Sequence, residues 1–180
     1  MSINQKTEKI LNFLKNKKVG VFCDNANLYH AHQKYGWRVD FGKFKKLISQ
    51  YCDLQFINYY LVIPAKNDIV YHGTQRFLEK IEPFVTIKKK ELKYMPLGGG
   101  VVKKGNMDVE ITLDVVRKIN DLDVVIIASG DSDFYELKNY VVNDKGKNII
   151  FCGYEENMAW ELRQCWHIYF NRIKEEVAFK

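Results

Sequence analysis

Several features that define other classes of protein are scarce or missing in this sequence. Three prolines and 11 glycines among 180 residues exclude a collagen-like or low-complexity chain. No apolar run approaches the roughly 20 residues that a membrane-spanning helix needs, and residues 1–18 are polar and rich in lysine. We therefore expect a soluble, cytoplasmic protein with no membrane partner.

The signatures of several enzyme classes are also missing. The sequence has four widely spaced cysteines, namely Cys23, Cys52, Cys152 and Cys165. They form no Cys-x-x-Cys pair, so we expect reduced thiols in the core. There is no Gly-x-Ser-x-Gly elbow and no P-loop, which argues against a serine hydrolase and a P-loop NTPase. Ala26 stands two positions after Asp24, where an aspartyl phosphatase needs a second aspartate.

Charge is distributed unevenly along the chain. Lysine and arginine number 28, and aspartate and glutamate 22, which gives a net charge of +6 and a pI near 9.0. Residues 86–104 contain six lysines, namely Lys88, Lys89, Lys90, Lys93, Lys103 and Lys104. Residues 108–136 contain eight acids, namely Asp108, Glu110, Asp114, Asp121, Asp123, Asp131, Asp133 and Glu136. This distribution suits a protein that binds phosphates with lysines and a metal with aspartates, and equally two solvated faces of opposite sign.

The order of apolar segments predicts an α/β fold. Short apolar runs predict strands at residues 19–23, 55–62, 84–87, 124–128 and 148–152, and amphipathic patterns predict helices at 7–15, 41–51, 69–81, 107–119, 134–143 and 158–165. This alternation predicts three layers, with a mainly parallel central sheet of about five strands between helices. We assign residues 1–18 to an N-terminal helical extension and residues 19–180 to one domain.

Residues 94–105 interrupt the alternation of strands and helices. They contain Pro96 and the glycines at 98–100, and lysines flank them. One interpretation is the tip of a flexible hairpin, and the other is a mobile clamp that closes on a substrate.

Acidic residues follow two of the predicted strands. Asp24 follows the strand at 19–23, and Asp131 follows the strand at 124–128. Open parallel sheets bind ligands at the carboxyl ends of their strands, near the point where the winding direction reverses. We therefore expect these strands to be neighbours and the two aspartates to face one crevice. Each aspartate alone could instead complement a helix N-terminus.

A third acid and two histidines are further candidates. Asp108 lies in the first turn of the helix predicted at 107–119, whose buried face we expect to be Val109, Leu113 and Val116. His30 and His32 follow Asp24 on a polar helix, where they could meet a phosphate or simply lie on the surface.

Three blocks of sequence occur in a specific order. Residues 19–27 read Val-Gly-Val-Phe-Cys-Asp-Asn-Ala-Asn, residues 104–109 read Lys-Gly-Asn-Met-Asp-Val with Asp114 further on, and residues 129–134 read Ser-Gly-Asp-Ser-Asp-Phe. These blocks resemble the NYN domain of the PIN-like nuclease superfamily, in its LabA-like branch. The resemblance extends from about residue 19 to residue 170.

The resemblance implies a Rossmann-like sheet of PIN type and a metal-dependent ribonuclease, specifically an endoribonuclease, with an acidic pocket for Mg²⁺ or Mn²⁺. The implied metal ligands are Asp24, Asp108 and Asp131, and Asp133 completes the catalytic set. The candidate substrate-binding residues are Asn25, Asn27, Ser129, Lys103 and Lys104. The expected partner is RNA, and a homodimer is one expected assembly. The alternative is an RNA-binding regulatory scaffold of the same fold that cleaves slowly or not at all.

Overall fold

A computed structural model of the chain describes residues 4–98 and 100–179. Residues 1–3 of the predicted extension, Gly99 of the glycine triplet and Lys180 lie outside the described residues. The strands are β1 (Lys18–Asp24), β2 (Asp53–Ile63), β3 (Thr86–Glu91), β4 (Lys93–Leu97), β5 (Gly100–Lys104), β6 (Val124–Ala128), β7 (Asn148–Gly153) and β8 (His167–Tyr169). Six of them form a parallel sheet in the order β3-β2-β1-β6-β7-β8, and β4 and β5 form a separate antiparallel hairpin.

Helices connect these strands. They are α1 (Gln5–Phe13), α2 (Asn25–Tyr35), α3 (Phe41–Ser49), α4 (Tyr71–Ile81), α5 (Asp108–Lys118), α6 (Tyr135–Asn139), α7 (Trp160–Arg163) and α8 (Lys174–Val177). Within residues 4–98 and 100–179, no helix is both long enough and apolar enough to cross a membrane.

The predicted α/β class with a mainly parallel central sheet is confirmed, with corrections to individual elements. The sheet has six strands rather than about five. The sequence did not predict β8, because this strand is only three residues long and gives no periodic pattern. The strand predicted at 84–87 is instead β3, which continues through three lysines at the edge of the sheet. The helix predicted at 134–143 is divided into α6 and a π-helical turn at Tyr140–Asp144.

Each face of the sheet has its own apolar core. Successive side chains of a strand point to opposite faces, so Val21 of β1 packs on one face and Phe22 on the other. The first face is covered by α1 and α3, with Leu11 and Ile48 fully buried. The second face is covered by α5, α6 and α7, which contribute Ile111, Leu137 and Leu162 to its core. Because β1 is buried on both faces, its sequence is a continuous apolar run rather than an alternating one.

The predicted buried face of α5 is wrong. Val109, Leu113 and Val116 are 63%, 45% and 39% exposed. The residues that pack against the sheet are Ile111 and Val115, which are fully buried. The helix has two apolar stripes at helical spacing, and the sequence alone does not say which one meets the sheet.

The β4–β5 hairpin is tied to the body of the domain through Asp68. The Lys103 ammonium lies 2.7 Å from Asp68 Oδ2, and the Tyr94 hydroxyl donates to the same oxygen at 2.8 Å. The backbone N–H of Ala65 in turn donates to the Tyr94 hydroxyl at 2.8 Å. These contacts lower the pKa of Asp68. They also fix the base of the hairpin. A hairpin is one of the two interpretations of residues 94–105, and the flexibility of its tip stays a prediction, as does the mobile clamp.

We expect Asp68→Ala to loosen the hairpin without unfolding the sheet, because it removes the acceptor that Lys103 and Tyr94 share. Hydrogen exchange of the β4 and β5 amides should become faster, whereas exchange in β1 should not change. Asp144→Ala, which removes an exposed aspartate far along the chain, is the matched control. Unchanged protection of the hairpin in Asp68→Ala would contradict the anchoring role.

Candidate functional site

An acidic pocket of about 410 Å³ lies beyond the carboxyl ends of β1 and β6. These strands are paired in parallel, and their last residue pair is Cys23 opposite Ala128, so Asp24 and Ser129, which follow that pair, emerge side by side. The pocket is lined by Asp24, Ala26, Asn27, His30, Asn106, Asp108, Asp131, Asp133 and Asn157. Its position agrees with the rule that open parallel sheets bind ligands at this edge.

Asp24 is the most deeply buried acid of the pocket. It is only 3% exposed, and its Oδ1 accepts the backbone N–H of Ala26 at 2.9 Å, which caps α2. Its Oδ2 accepts the Ser129 hydroxyl at 3.0 Å. Burial, with a smaller contribution from Asp108, raises the pKa of Asp24 to about 6, although the hydrogen bond from Ser129 opposes that rise. The charged form of this side chain is therefore held at a cost to folding.

The loop after β6 positions Asp131 through a chain of hydrogen bonds. The Ser129 hydroxyl oxygen accepts the N–H of Asp131 at 3.2 Å, and Asp131 Oδ1 accepts the N–H of Asp133 at 3.0 Å. The N–H of Gly130 donates to the side chain of Asn27 at 2.9 Å. Thus two residues of the first sequence block, Asp24 and Asn27, hold the third block in place.

Gly130 allows a second loop to approach the pocket. Its carbonyl oxygen accepts the N–H of Ala159 at 2.8 Å, and a Cβ at this position would collide with the backbone of Asn157. Only glycine therefore lets Asn157 reach the pocket lining.

Asp108 enters the pocket from the first residue of α5. The Asn106 side chain donates to Asp108 Oδ2 at 2.6 Å. Partial burial, followed by the charges of Asp131 and Asp133, raises the pKa of Asp108. The carboxylates of Asp131 and Asp133 therefore repel that of Asp108 across the pocket.

The structure brings some of the sequence-predicted site residues together and leaves others apart. Asp24, Asp108, Asp131, Asp133 and Asn27 line the pocket. Ser129 lies buried just behind Asp24, and Asn25 turns away to accept the Tyr59 hydroxyl at 2.6 Å. Lys103 and Lys104 belong to the hairpin and do not line the pocket.

Two asparagines that line the pocket, Asn106 and Asn157, were not among the candidate site residues from the sequence. Asn106 lies in the second sequence block, two residues before Asp108, and that spacing is a usable signal. Asn157 gives no local signal, because only the contact between its loop and Gly130 brings it to the pocket. His30 also lines the pocket, whereas the sequence leaves open whether it meets a phosphate or lies on the surface.

The donor chemistry of the pocket fits a hard divalent cation. Aspartate carboxylates and asparagine carbonyls are the oxygen ligands that Mg²⁺ and Mn²⁺ prefer. The side chains are spaced more widely than the ligands of a bound ion, because among the described residues no three His, Cys, Asp or Glu side chains converge closely enough to hold one ion. The pocket thus contains suitable donors in a more open arrangement than a closed ligand set.

Residues 18–172 match the NYN domain. The chain belongs to the NYN domain family. A curated relative is the low amplitude and bright protein LabA of Synechococcus elongatus, which is 24% identical over 155 residues, or 86% of this chain and 83% of LabA. The chain is a LabA-like NYN protein.

One solved structure has a similar fold. It is the crystal structure of VPA0982, a protein of unknown function from Vibrio parahaemolyticus, with a TM-score of 0.71 and 23% identity. The match covers 91% of this chain and 97% of that one. NYN domains belong to the PIN-like nuclease superfamily, whose members generally use divalent metal ions. This NYN chain carries its acidic pocket at the carboxyl edge of the sheet.

Replacing Asp24 with Asn should raise thermal stability near neutral pH in EDTA. The folded-state pKa is about 6, whereas an unfolded aspartate has a pKa of about 4, so folding becomes less favourable as pH rises between these values. The difference corresponds to on the order of 3 kcal/mol. The gain should be full above about pH 6 and vanish below about pH 4.

Melting temperatures of both proteins across this pH range test the expectation. Asp144→Asn, an exposed aspartate replaced in the same way, controls for net charge. A variant that is less stable than the parent at neutral pH would show that the hydrogen bonds of the carboxylate outweigh its burial.

Proposed function

We propose that the protein is a metal-dependent ribonuclease, acting as an endoribonuclease on RNA phosphodiester bonds with Mg²⁺ or Mn²⁺. The observation that carries this proposal is the meeting of four aspartates, Asp24, Asp108, Asp131 and Asp133, in one pocket of an NYN domain. Mutual repulsion of these carboxylates supports it, because a bound cation would relieve that repulsion.

In this proposal Asp24, Asp108 and Asp131 hold the cation, directly or through water, and Asp133 completes the acidic set. When bound, such a cation lowers the pKa of a water molecule and offsets negative charge on the phosphate. The protein supplies orientation. Ser129 holds the Asp24 carboxylate, and Asn106 holds that of Asp108.

In this proposal, lysines of the hairpin and of the edge strand β3 bind the phosphates of the RNA backbone. Three of the six lysines already have acidic partners: Lys88 lies 3.8 Å from Asp114, Lys90 lies 2.6 Å from Glu110, and Lys103 lies 2.7 Å from Asp68. Lys89, Lys93 and Lys104 form no ion pair within the described parts of the chain. We therefore assign phosphate contacts to these three and an anchoring role to Lys103.

A second candidate function is an RNA-binding regulatory scaffold without significant cleavage. The observation that favours it is the open arrangement of the carboxylates, of which no three converge on one point among the described residues. Incubating the protein with single-stranded and structured RNA, with Mg²⁺, Mn²⁺ or EDTA, separates the two functions. Cleavage that requires the metal supports the nuclease, whereas binding without cleavage supports the scaffold.

Asp131→Asn should abolish metal-dependent cleavage while leaving the fold and RNA binding nearly intact. Asn keeps the shape and the oxygen that accepts the N–H of Asp133 but loses the charge that a hard cation needs. We expect a loss of at least about 100-fold, since losing even an outer partner of a metal ligand can reduce activity that much.

The measurements are RNA cleavage in Mn²⁺ and melting temperature in EDTA on the same preparation. Asp144→Asn is the control and should cleave like the parent. Full activity of Asp131→Asn would remove Asp131 from the mechanism, and a collapsed melting temperature would make it a structural residue.

Changing Lys89, Lys93 and Lys104 together to Ala should weaken RNA binding across sequences and flatten its dependence on salt. Each phosphate contact contributes about 0.7 to the slope for single strands, so the slope should fall by about 2. Lys9, Lys15 and Lys80, three exposed lysines of other segments, provide a control with the same change in net charge. Equal effects of the two triple variants would show that the lysines of β3 and the hairpin are only a solvated face.

A further inference from the structure

The hairpin presents an uncovered apolar face. Its register pairs Lys93 with Lys104, Met95 with Val102 and Leu97 with Gly100, so these side chains share one face. Met95, Leu97 and Val102 are 41%, 70% and 42% exposed. The face is therefore apolar towards the tip and carries two lysines at the base.

Helix α5 presents a second uncovered apolar surface. Val109, Leu113 and Val116 lie on one side of the helix, facing away from the core residues Ile111 and Val115. Asp108 of the acidic pocket precedes this stripe directly. Exposed apolar patches often mark interaction sites, so these two surfaces, which follow each other in the chain, are candidates for an interface.

The hairpin cannot cover α5 of its own chain. Three residues, 105–107, join β5 to α5, and the base of the hairpin is tied to Asp68 through Lys103 and Tyr94. Gly105 also packs tightly on Val62, where a Cβ would lie only 2.8 Å from Val62 Cγ1. Folding the hairpin back would break these contacts. A cover for either surface would therefore come from another molecule.

We infer that the covering molecule is a second copy of this chain, with the hairpin of each subunit lying along α5 of the other. The two surfaces match in length, since the strand from Lys93 to Leu97 spans about 14 Å and the helix from Asp108 to Val116 spans about 12 Å. They also match in charge, because Lys93 and Lys104 flank the apolar part of one surface and Asp108 adjoins the other. In a two-fold symmetric dimer, both hairpins and both α5 surfaces are covered at once.

This arrangement has a consequence for the acidic pocket. Since Asp108 adjoins the α5 stripe, the lysine end of a docked hairpin lies beside the pocket of the opposite subunit. Lys104, which does not line the pocket of its own chain, then stands near the pocket of its partner. The dimer itself does not depend on the proposed ribonuclease activity.

Sedimentation velocity of the full chain, from about 1 to about 100 μM, tests the dimer. The parent should sediment as a species of twice the 21.2 kDa chain mass. Two double variants that preserve local propensity, Met95→Thr with Val102→Thr in the hairpin and Val109→Gln with Leu113→Gln in α5, should each raise the dissociation constant about 10- to 100-fold. Val142→Thr, at an apolar site of matched 39% exposure, should not.

Mixing the two double variants decides the geometry. Each mixed pair keeps one intact contact, between the unmodified hairpin of one copy and the unmodified α5 of the other, so the mixture should dimerise more strongly than either variant alone. A monomeric parent at every concentration would overturn the proposal and leave a different protein as the cover. A dimer that only one double variant weakens, or that neither weakens, would also overturn the exchange of hairpins, and circular dichroism confirms that each variant is folded.

Discussion

The parallel pairing of β1 with β6 is the constraint on which the candidate site depends. Five residue pairs hold the two strands in register, from Val19 opposite Val124 to Cys23 opposite Ala128. Both strands are buried on both faces, so a slip by one residue would exchange the residues of the two cores. The residues after this last pair, Asp24 and Ser129, are both polar, and the Ser129 hydroxyl donates to Asp24 Oδ2 at 3.0 Å. The register of the sheet thereby fixes the pocket.

The same pocket works against the stability of the fold. Asp24 is buried beside other acids, and its raised pKa shows that its negative charge is unfavourable there. The pKa of Asp108 is also raised, by its partial burial and then by the charges of Asp131 and Asp133. A structural role alone would not require such a concentration of like charge, whereas binding of a cation would turn it into an attractive feature.

The sequence alone predicted the features that depend on short stretches of the chain, namely the buried strands and the residues that follow them. The apolar runs located β1 and β6, and the rule for parallel sheets placed Asp24 and Asp131 at one edge, as the structure describes them. The features that depend on distant contacts could not be predicted. The choice of buried stripe on α5 requires knowing the sheet beneath it, and Asn157 reaches the pocket only because Gly130 leaves room. The anchoring of the hairpin likewise depends on Asp68, which is remote in sequence from β4 and β5.

Strand β3 is one of the two outermost strands of the sheet, and three consecutive lysines, residues 88–90, occupy it. The outer edge of such a strand offers unpaired backbone groups to any other extended chain. Lys88 and Lys90 lean towards the acids of α5, while Lys89 is exposed to solvent. An incoming strand would have to bring its own backbone against these ammonium groups, which disfavours open-ended strand addition. The lysines of β3 therefore act against edge-to-edge aggregation at this side of the sheet.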